Sequence, residues 1–210
     1  HLGHSFPTRR SSDLMTKSKE QLHSAEEMIA LLDQYHGMIT GVFSGDECLS
    51  GNSPIHGTEL CAVAEYMYSL EHLISLTGKA HWGDRLEKIA FNALPATFSP
   101  DMWTHQYDQQ VNQVECSKRE NSVFYTNGGE ANLFGLEPNF GCCTANLNQA
   151  WPKFAMSSFM KAEDGIAVVL YVPTSVNTVI GDANVEITMV TDYPFRDTVE
   201  INVKTDRRVD

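Results

Sequence analysis

Glu59-Leu60-Cys61-Ala62-Val63-Ala64-Glu65-Tyr66-Met67-Tyr68-Ser69-Leu70-Glu71-His72-Leu73-Ile74 decides how this chain is read. Ala62, Val63, Tyr66, Met67, Leu70, Leu73 and Ile74 recur at helical intervals and form a wide apolar stripe. Gly78 marks the end of the helix. A second stripe, with Leu86, Ile89, Ala90 and Ala93 on one face, predicts a helix from about Trp82 to Ala93. The short Gly-containing link between them makes the pair an αα-hairpin.

On the N-terminal side, Ser24-Ala25-Glu26-Glu27 has capping-box spacing, followed by Met28, Leu31, Leu32 and Tyr35 at helical intervals. Gly37 stops that helix, and the Gly- and Ser-rich stretch 40–54 reads as a loop. Residues 99–140 are polar and carry Trp103, Tyr107, Phe124, Tyr125, Phe134 and Phe140. A loop this long inside a domain points to function. A further helix is predicted over Asn146–Met160, with Pro152 in its first turn or at a kink.

Past Asp164 the period changes. Residues 166–172 form a continuous apolar run suited to a buried strand, while 185–190 and 199–204 alternate as half-buried antiparallel strands do. The chain is therefore mainly α, then β. The expected boundary lies near 161–165, giving a helical part over 15–162 and a β part over 163–210.

Residues 1–14 stand apart. His4-Ser5-Phe6-Pro7-Thr8-Arg9-Arg10-Ser11-Ser12-Asp13-Leu14 resembles one reading frame of a sequencing-library adapter, and native sequence is expected from about Met15. A basic, Ser-rich targeting leader is the alternative, although it lacks the apolar stretch of a secretory signal. The formal net charge of −12 becomes −13 without these residues, with 13 basic and 26 acidic groups left. That balance repels phosphate backbones and argues against nucleic acid as a partner. No apolar run approaches the ~20 residues of a membrane span, so no membrane partner is expected.

Cys48, Cys61, Cys116, Cys142 and Cys143 are odd in number and do not resemble a disulfide framework. Reduced thiols or metal ligands fit better, which favours a reducing compartment such as the cytoplasm. Thiols held by zinc are also compatible with a periplasmic or secreted protein. Glu59, Cys61, Cys142 and Cys143 offer three sulfurs and a carboxylate, a full set of four ligands for zinc. Within a regular helix Glu59 and Cys61 would point about 200° apart. They converge only where the chain is extended, and Gly57-Thr58 allows a helix start there. Gly141 plays that part for Cys142 and Cys143, with Thr144 as the expected cap of the next helix. A helix N-terminus also favours thiolate over thiol. On these grounds alone, a metal site and four unrelated residues both remain open.

Several segments together carry a family resemblance. These are Gly45-Asp46-Glu47, Gly57-Thr58-Glu59-Leu60-Cys61-Ala62, Gln106-Tyr107-Asp108-Gln109-Gln110-Val111-Asn112-Gln113, and Asn139-Phe140-Gly141-Cys142-Cys143-Thr144-Ala145-Asn146. They resemble glycoside hydrolase family 127, the β-L-arabinofuranosidase-like group, from about Ser24 to the β region. The resemblance implies an (α/α)6 six-hairpin barrel followed by β-sandwich domains. It also implies a retaining exo-glycosidase acting on non-reducing-end β-L-arabinofuranosides or related plant-glycan sugars, with an oligosaccharide or glycoconjugate as partner.

Carried over residue by residue, Glu59, Cys61, Cys142 and Cys143 match the zinc ligands and Cys142 matches the nucleophile. Glu47 is the candidate acid/base, with Asp46 a competitor because the loop to Glu59 is shorter than in the characterised members. The alternative function is a non-catalytic, zinc-stabilised carbohydrate-binding or structural module. His36, His56 and His105 are left without a role. Tyr107, Trp103 and Phe140 form a sugar-stacking wall or a small core, and Cys48 and Cys116 read as ordinary cysteines. A six-hairpin barrel needs about a dozen helices and about four are visible. The chain is therefore expected to be a fragment, poorly stable and inactive by itself, of undetermined oligomeric state.

Overall fold

A computed structural model describes residues 18–118, 128, 130–135, 141–163 and 165–208. The adapter-like leader, Phe124, Tyr125, Phe140 and the last two residues lie outside the described residues. Helix α1 spans Lys19–His36 and starts earlier than expected. Its N-cap is Ser18, whose hydroxyl accepts from the Gln21 amide at 3.3 Å. Ser18-Lys19-Glu20-Gln21 has the same capping spacing as the Ser24 segment, and the earlier copy is the one used. Gly37 ends α1 with an extended backbone, not a left-handed one. Glycine is needed there because a Cβ would meet the Asp33 carbonyl oxygen at 2.5 Å.

Strand β1 (Thr58–Glu59) leads directly into α2 (Leu60–Thr77), which Gly78 closes in the left-handed conformation at φ 62. Helix α3 (Ala80–Lys88) continues through a π-helical turn at Ile89–Ala93 into a short α4 (Leu94–Ala96). The predicted hairpin is present. Val63, Met67, Leu70 and Leu73 of α2 share one core with Trp82, Leu86, Ile89 and Ala93. Full burial of each large apolar side chain is worth about 1.5–3 kcal/mol.

Helix α5 spans Gly141–Met156 and adds Ala150 and Phe154 to that core. It starts five residues before the expected Asn146 and ends before Met160. The reason for the early end is that β3 (Phe159–Lys161) pairs antiparallel with β4 (Ile166–Val168). Pro152 lies inside α5, away from its first turn.

The run expected as one buried strand over 166–172 divides. After β4, Leu170 and Val172 leave the sheet and plug into the helical core. The Tyr171 amide donates to Glu87 Oε1 of α3 at 2.7 Å, fastening this stretch to the helices. Strands β5 (Thr174–Ile180), β6 (Ala183–Thr191) and β7 (Val199–Thr205) form an antiparallel meander in that order. Alternation along β6 is clean: Ala183, Val185, Ile187 and Met189 are buried, and Phe159 and Ile166 pack near that face. The β5 strand was not anticipated, since Thr174-Ser175-Val176-Asn177-Thr178 mixes strand and turn residues. No helix among the described residues is long and apolar enough to cross a membrane.

Candidate metal centre

The two half-sites come together. Ligand atoms of Glu59, Cys61, Cys142 and Cys143 all lie within 4.8 Å of one another. The Cys61 and Cys143 sulfurs are 3.4 Å apart, and both cysteines are free thiols. Glu59 is the N-cap of α2 with extended backbone, at φ −64 and ψ 139. The extended-to-helical junction therefore falls between the two ligands, as their spacing requires. Strand pairing fixes that junction: Glu59 faces Asp108 of β2 (Asp108–Gln109), and the Leu60 amide donates to the Tyr107 carbonyl at 2.8 Å.

The other half-site differs from expectation. Cys142 and Cys143 lie inside the first turn of α5, and Thr144 is a helical residue, not a cap. Its Oγ1 instead meets His105 Nε2 at 2.9 Å. Successive helical residues diverge by about 100°, so the adjacent cysteines face different surroundings. Cys143 is buried with Leu60, Tyr107 and Ala131, while Cys142 is exposed.

The helix start does not produce the anticipated thiolate. Burial and the neighbouring Cys61 push the Cys142 thiol up to about 11. The Cys61 thiol is also pushed up, first by its hydrogen bond to Cys143, then by burial and by the Cys143 and Glu59 charges. At Cys142 burial, followed by the nearby Cys61, outweighs a partial helix charge. A bound cation would oppose the upward shifts of Cys61 and Cys142. Tetrahedral zinc with Zn–S bonds of ~2.3 Å needs sulfurs about 3.8 Å apart and one oxygen, close to what this donor set provides.

Glu47 sits in the 40–54 loop in the left-handed region at φ 78, with an exposed side chain. Its Oε1 accepts from the Tyr107 hydroxyl at 3.0 Å. Asp46 is tied inward, accepting from Ser50 Oγ at 3.1 Å. Tyr107 belongs to a small core beside the candidate metal ligands and is no exposed stacking wall. Trp103 is 73% exposed. His36 Nδ1 accepts from the Gly51 amide at 2.9 Å, which makes it a loop fastener. Cys48 and Cys116 are both exposed and fall outside the four-ligand group.

Sequence reasoning passed over Asp108. Its side chain is 0% exposed, and neither carboxyl oxygen has a hydrogen-bond partner among the described residues. Burial raises its pKa to about 8, with the Asp46 and Glu59 charges adding to the shift. Gly57 makes room for it, since a Cβ there would lie 2.0 Å from Asp108 Oδ2. The only sequence signal was its place within the Gln106–Gln113 segment.

Comparison with known proteins bears on this arrangement. The profile for the β-L-arabinofuranosidase, GH127 catalytic domain, matches residues 11–156. No curated protein matches the sequence. The structure is similar to a GH127 β-L-arabinofuranosidase from Geobacillus stearothermophilus T6, at 15% identity and TM-score 0.77, covering 96% of this chain and 32% of that one. It is also similar to the GH127 β-arabinofuranosidase BT3674, at 17% identity and TM-score 0.73, covering 96% and 30%. A third structure, a glycoside hydrolase, aligns at 17% identity and TM-score 0.58 over 70% of this chain and 23% of that one. The chain thus spans about a third of the length of the solved structures it matches. With the profile match covering well over half of its residues, the chain belongs to the GH127 catalytic-domain family of glycoside hydrolases.

Proposed function

We propose that this chain carries the nucleophile half of a retaining glycosidase acting on non-reducing-end β-L-arabinofuranosides or related plant-glycan sugars. Residues 15–162 would belong to an (α/α)6 catalytic barrel and 163–210 to the start of a β-sandwich. The observation that carries the reading is the division within the cysteine pair: Cys143 is buried and Cys142 is exposed in the same four-ligand cluster. A purely structural site would gain nothing from leaving one ligand open to solvent.

Zinc bound by Glu59, Cys61, Cys142 and Cys143 would hold the sulfurs as thiolates at neutral pH. Cys142 Sγ then attacks the anomeric carbon while the glycosidic C–O bond breaks. The leaving oxygen takes its proton from the Glu47 carboxylic acid. In the second step Glu47, now a carboxylate, removes a proton from water. The water oxygen bonds to the anomeric carbon, and Sγ leaves with the electron pair of the C–S bond. Two inversions give net retention, the double-displacement logic of glycosidases with sulfur in place of the second carboxylate.

The test is hydrolysis of an aryl β-L-arabinofuranoside by the full-length protein, wild type against Cys142→Ser. Loss of at least ~100-fold is expected for a removed nucleophile. Normal turnover by the variant with zinc retained would instead support the non-catalytic, zinc-stabilised module.

A further inference from the structure

We infer that Tyr107 is the positioning residue that sets the Glu47 carboxyl relative to the cysteine cluster. The inference rests on the reading of Glu47 as the acid/base and goes beyond it by naming what fixes that residue in place. Glu47 is a loop residue on an exposed stretch, with nothing in its own backbone pattern to aim it at the metal ligands. Its left-handed backbone at φ 78 is a conformation that costs a non-glycine residue of order 1 kcal/mol. Such strain persists only where surrounding contacts enforce it.

Tyr107 supplies the contact. Its hydroxyl donates to Glu47 Oε1 at 3.0 Å, sixty residues away in sequence. Its ring is 2% exposed and packs in one cluster with Leu60, Cys143 and Ala131, with Cys61 at its edge. Its carbonyl accepts from the Leu60 amide, between the ligands Glu59 and Cys61. One residue therefore links the candidate acid, through its hydroxyl, to the small core that holds both half-sites, through its ring and its backbone carbonyl. A bond from Tyr107 to Oε1 also leaves Oε2 as the oxygen that can carry the transferable proton.

A double-mutant cycle separates positioning from general support of the fold. The zinc-loaded protein is treated with two reagents, and alkylation of Cys142 is followed by mass spectrometry. Iodoacetamide needs only a reactive sulfur. An arabinofuranose-configured cyclitol epoxide also needs a proton delivered to the opening oxygen. Tyr107→Phe should slow the epoxide roughly tenfold, the worth of a hydrogen bond to a charged group, and leave the iodoacetamide rate and zinc content unchanged. Adding Tyr107→Phe to Glu47→Gln should cost little more than Glu47→Gln alone.

Equal epoxide rates in wild type and Tyr107→Phe would overturn the inference. So would parallel slowing of both reagents, the mark of a structural role, or additive losses in the double variant. Wild-type protein that reacts with iodoacetamide but shows no epoxide dependence on Glu47 would remove the acid/base reading itself, and Tyr107's role with it.

Discussion

The segment 105–110 and the strand β7 treat polarity in opposite ways. His105, Gln106, Tyr107, Asp108, Gln109 and Gln110 are all buried, although most are polar or ionisable. In β7, Ile201 and Val203 are 43% and 59% exposed, although they pair with Met189 and Ile187 on the sheet's buried face. Burial here follows from which neighbours are present, not from residue type. The polar segment can be buried because its amides find carbonyls. Gln106 Nε2 donates to the Ala96 carbonyl at 2.9 Å, Gln109 to Ala93 at 2.7 Å and Gln110 to Ile55 at 2.8 Å. These bonds lash β2 to the α4 region and to the loop before β1, and so hold Tyr107 and Asp108 beside the candidate metal ligands.

Substitutions in the two regions should differ widely in effect. The largest is expected at Gly57→Ala, where the new Cβ would overlap the Asp108 carboxyl at 2.0–2.1 Å. A loss of about 3 kcal/mol or more is expected in chemical denaturation, from overpacking around a buried polar group. The double variant with Asp108→Ala should recover much of it. An effect below about 0.5 kcal/mol would show that the segment is loosely held and would erase the contrast with β7.

A second test uses pH. Glu71 lies on α2 near the C-terminal end of α5, and burial raises its pKa to about 7, against the opposing effects of Ser157 and Lys153. The folded state therefore holds this proton more tightly than the unfolded state does. Its stabilising contribution is complete below about 4.5, the ordinary value, and is lost as pH rises to about 7. Glu71→Gln should flatten the stability profile in that window by up to about 3 kcal/mol, read as Tm against pH. An unchanged slope would mean that this part of the α2 interface is wetter than the structure has it.

The smallest effect is expected in the sheet. Val203→Thr changes an exposed strand residue for another β-branched one and should shift stability by less than about 0.5 kcal/mol. A loss near 2 kcal/mol would show that this face is covered, so that the difference between the two regions is one of partners alone.

Where the periodicity is strong, the sequence predicted the structure well. The α2–α3 hairpin, the helix end at Gly78 and the alternation of β6 follow from apolar spacing and a glycine stop that tertiary contacts reinforce. Convergence of Glu59 with Cys61 was legible because an extended junction is the one backbone that lets them meet. The start of α5 was not: Thr144 offered a cap signal inside what is already helix, and the helical state of Gly141-Cys142-Cys143-Thr144 goes with packing around Cys143 and the His105–Thr144 bond. Asp108 was passed over, and Tyr107 was left between a stacking wall and a small core, for a related reason. Their burial depends on partners dozens of residues away, such as Gly57 and Glu47, which no local pattern announces. The thiols are shifted opposite to the helix-dipole expectation because burial at Cys142 and the neighbouring Cys143 at Cys61, both invisible in sequence, push them up.

The central claim is that three sulfurs and one carboxylate share a single zinc. Zinc-edge X-ray absorption on the zinc-loaded protein tests it most directly. The account predicts one zinc per chain, with three sulfurs at about 2.3 Å and one oxygen at about 2.0–2.2 Å. The Cys142→Ser variant should show two sulfurs at the same distance. A first shell of only nitrogen and oxygen, or a protein that takes up no zinc, would contradict it.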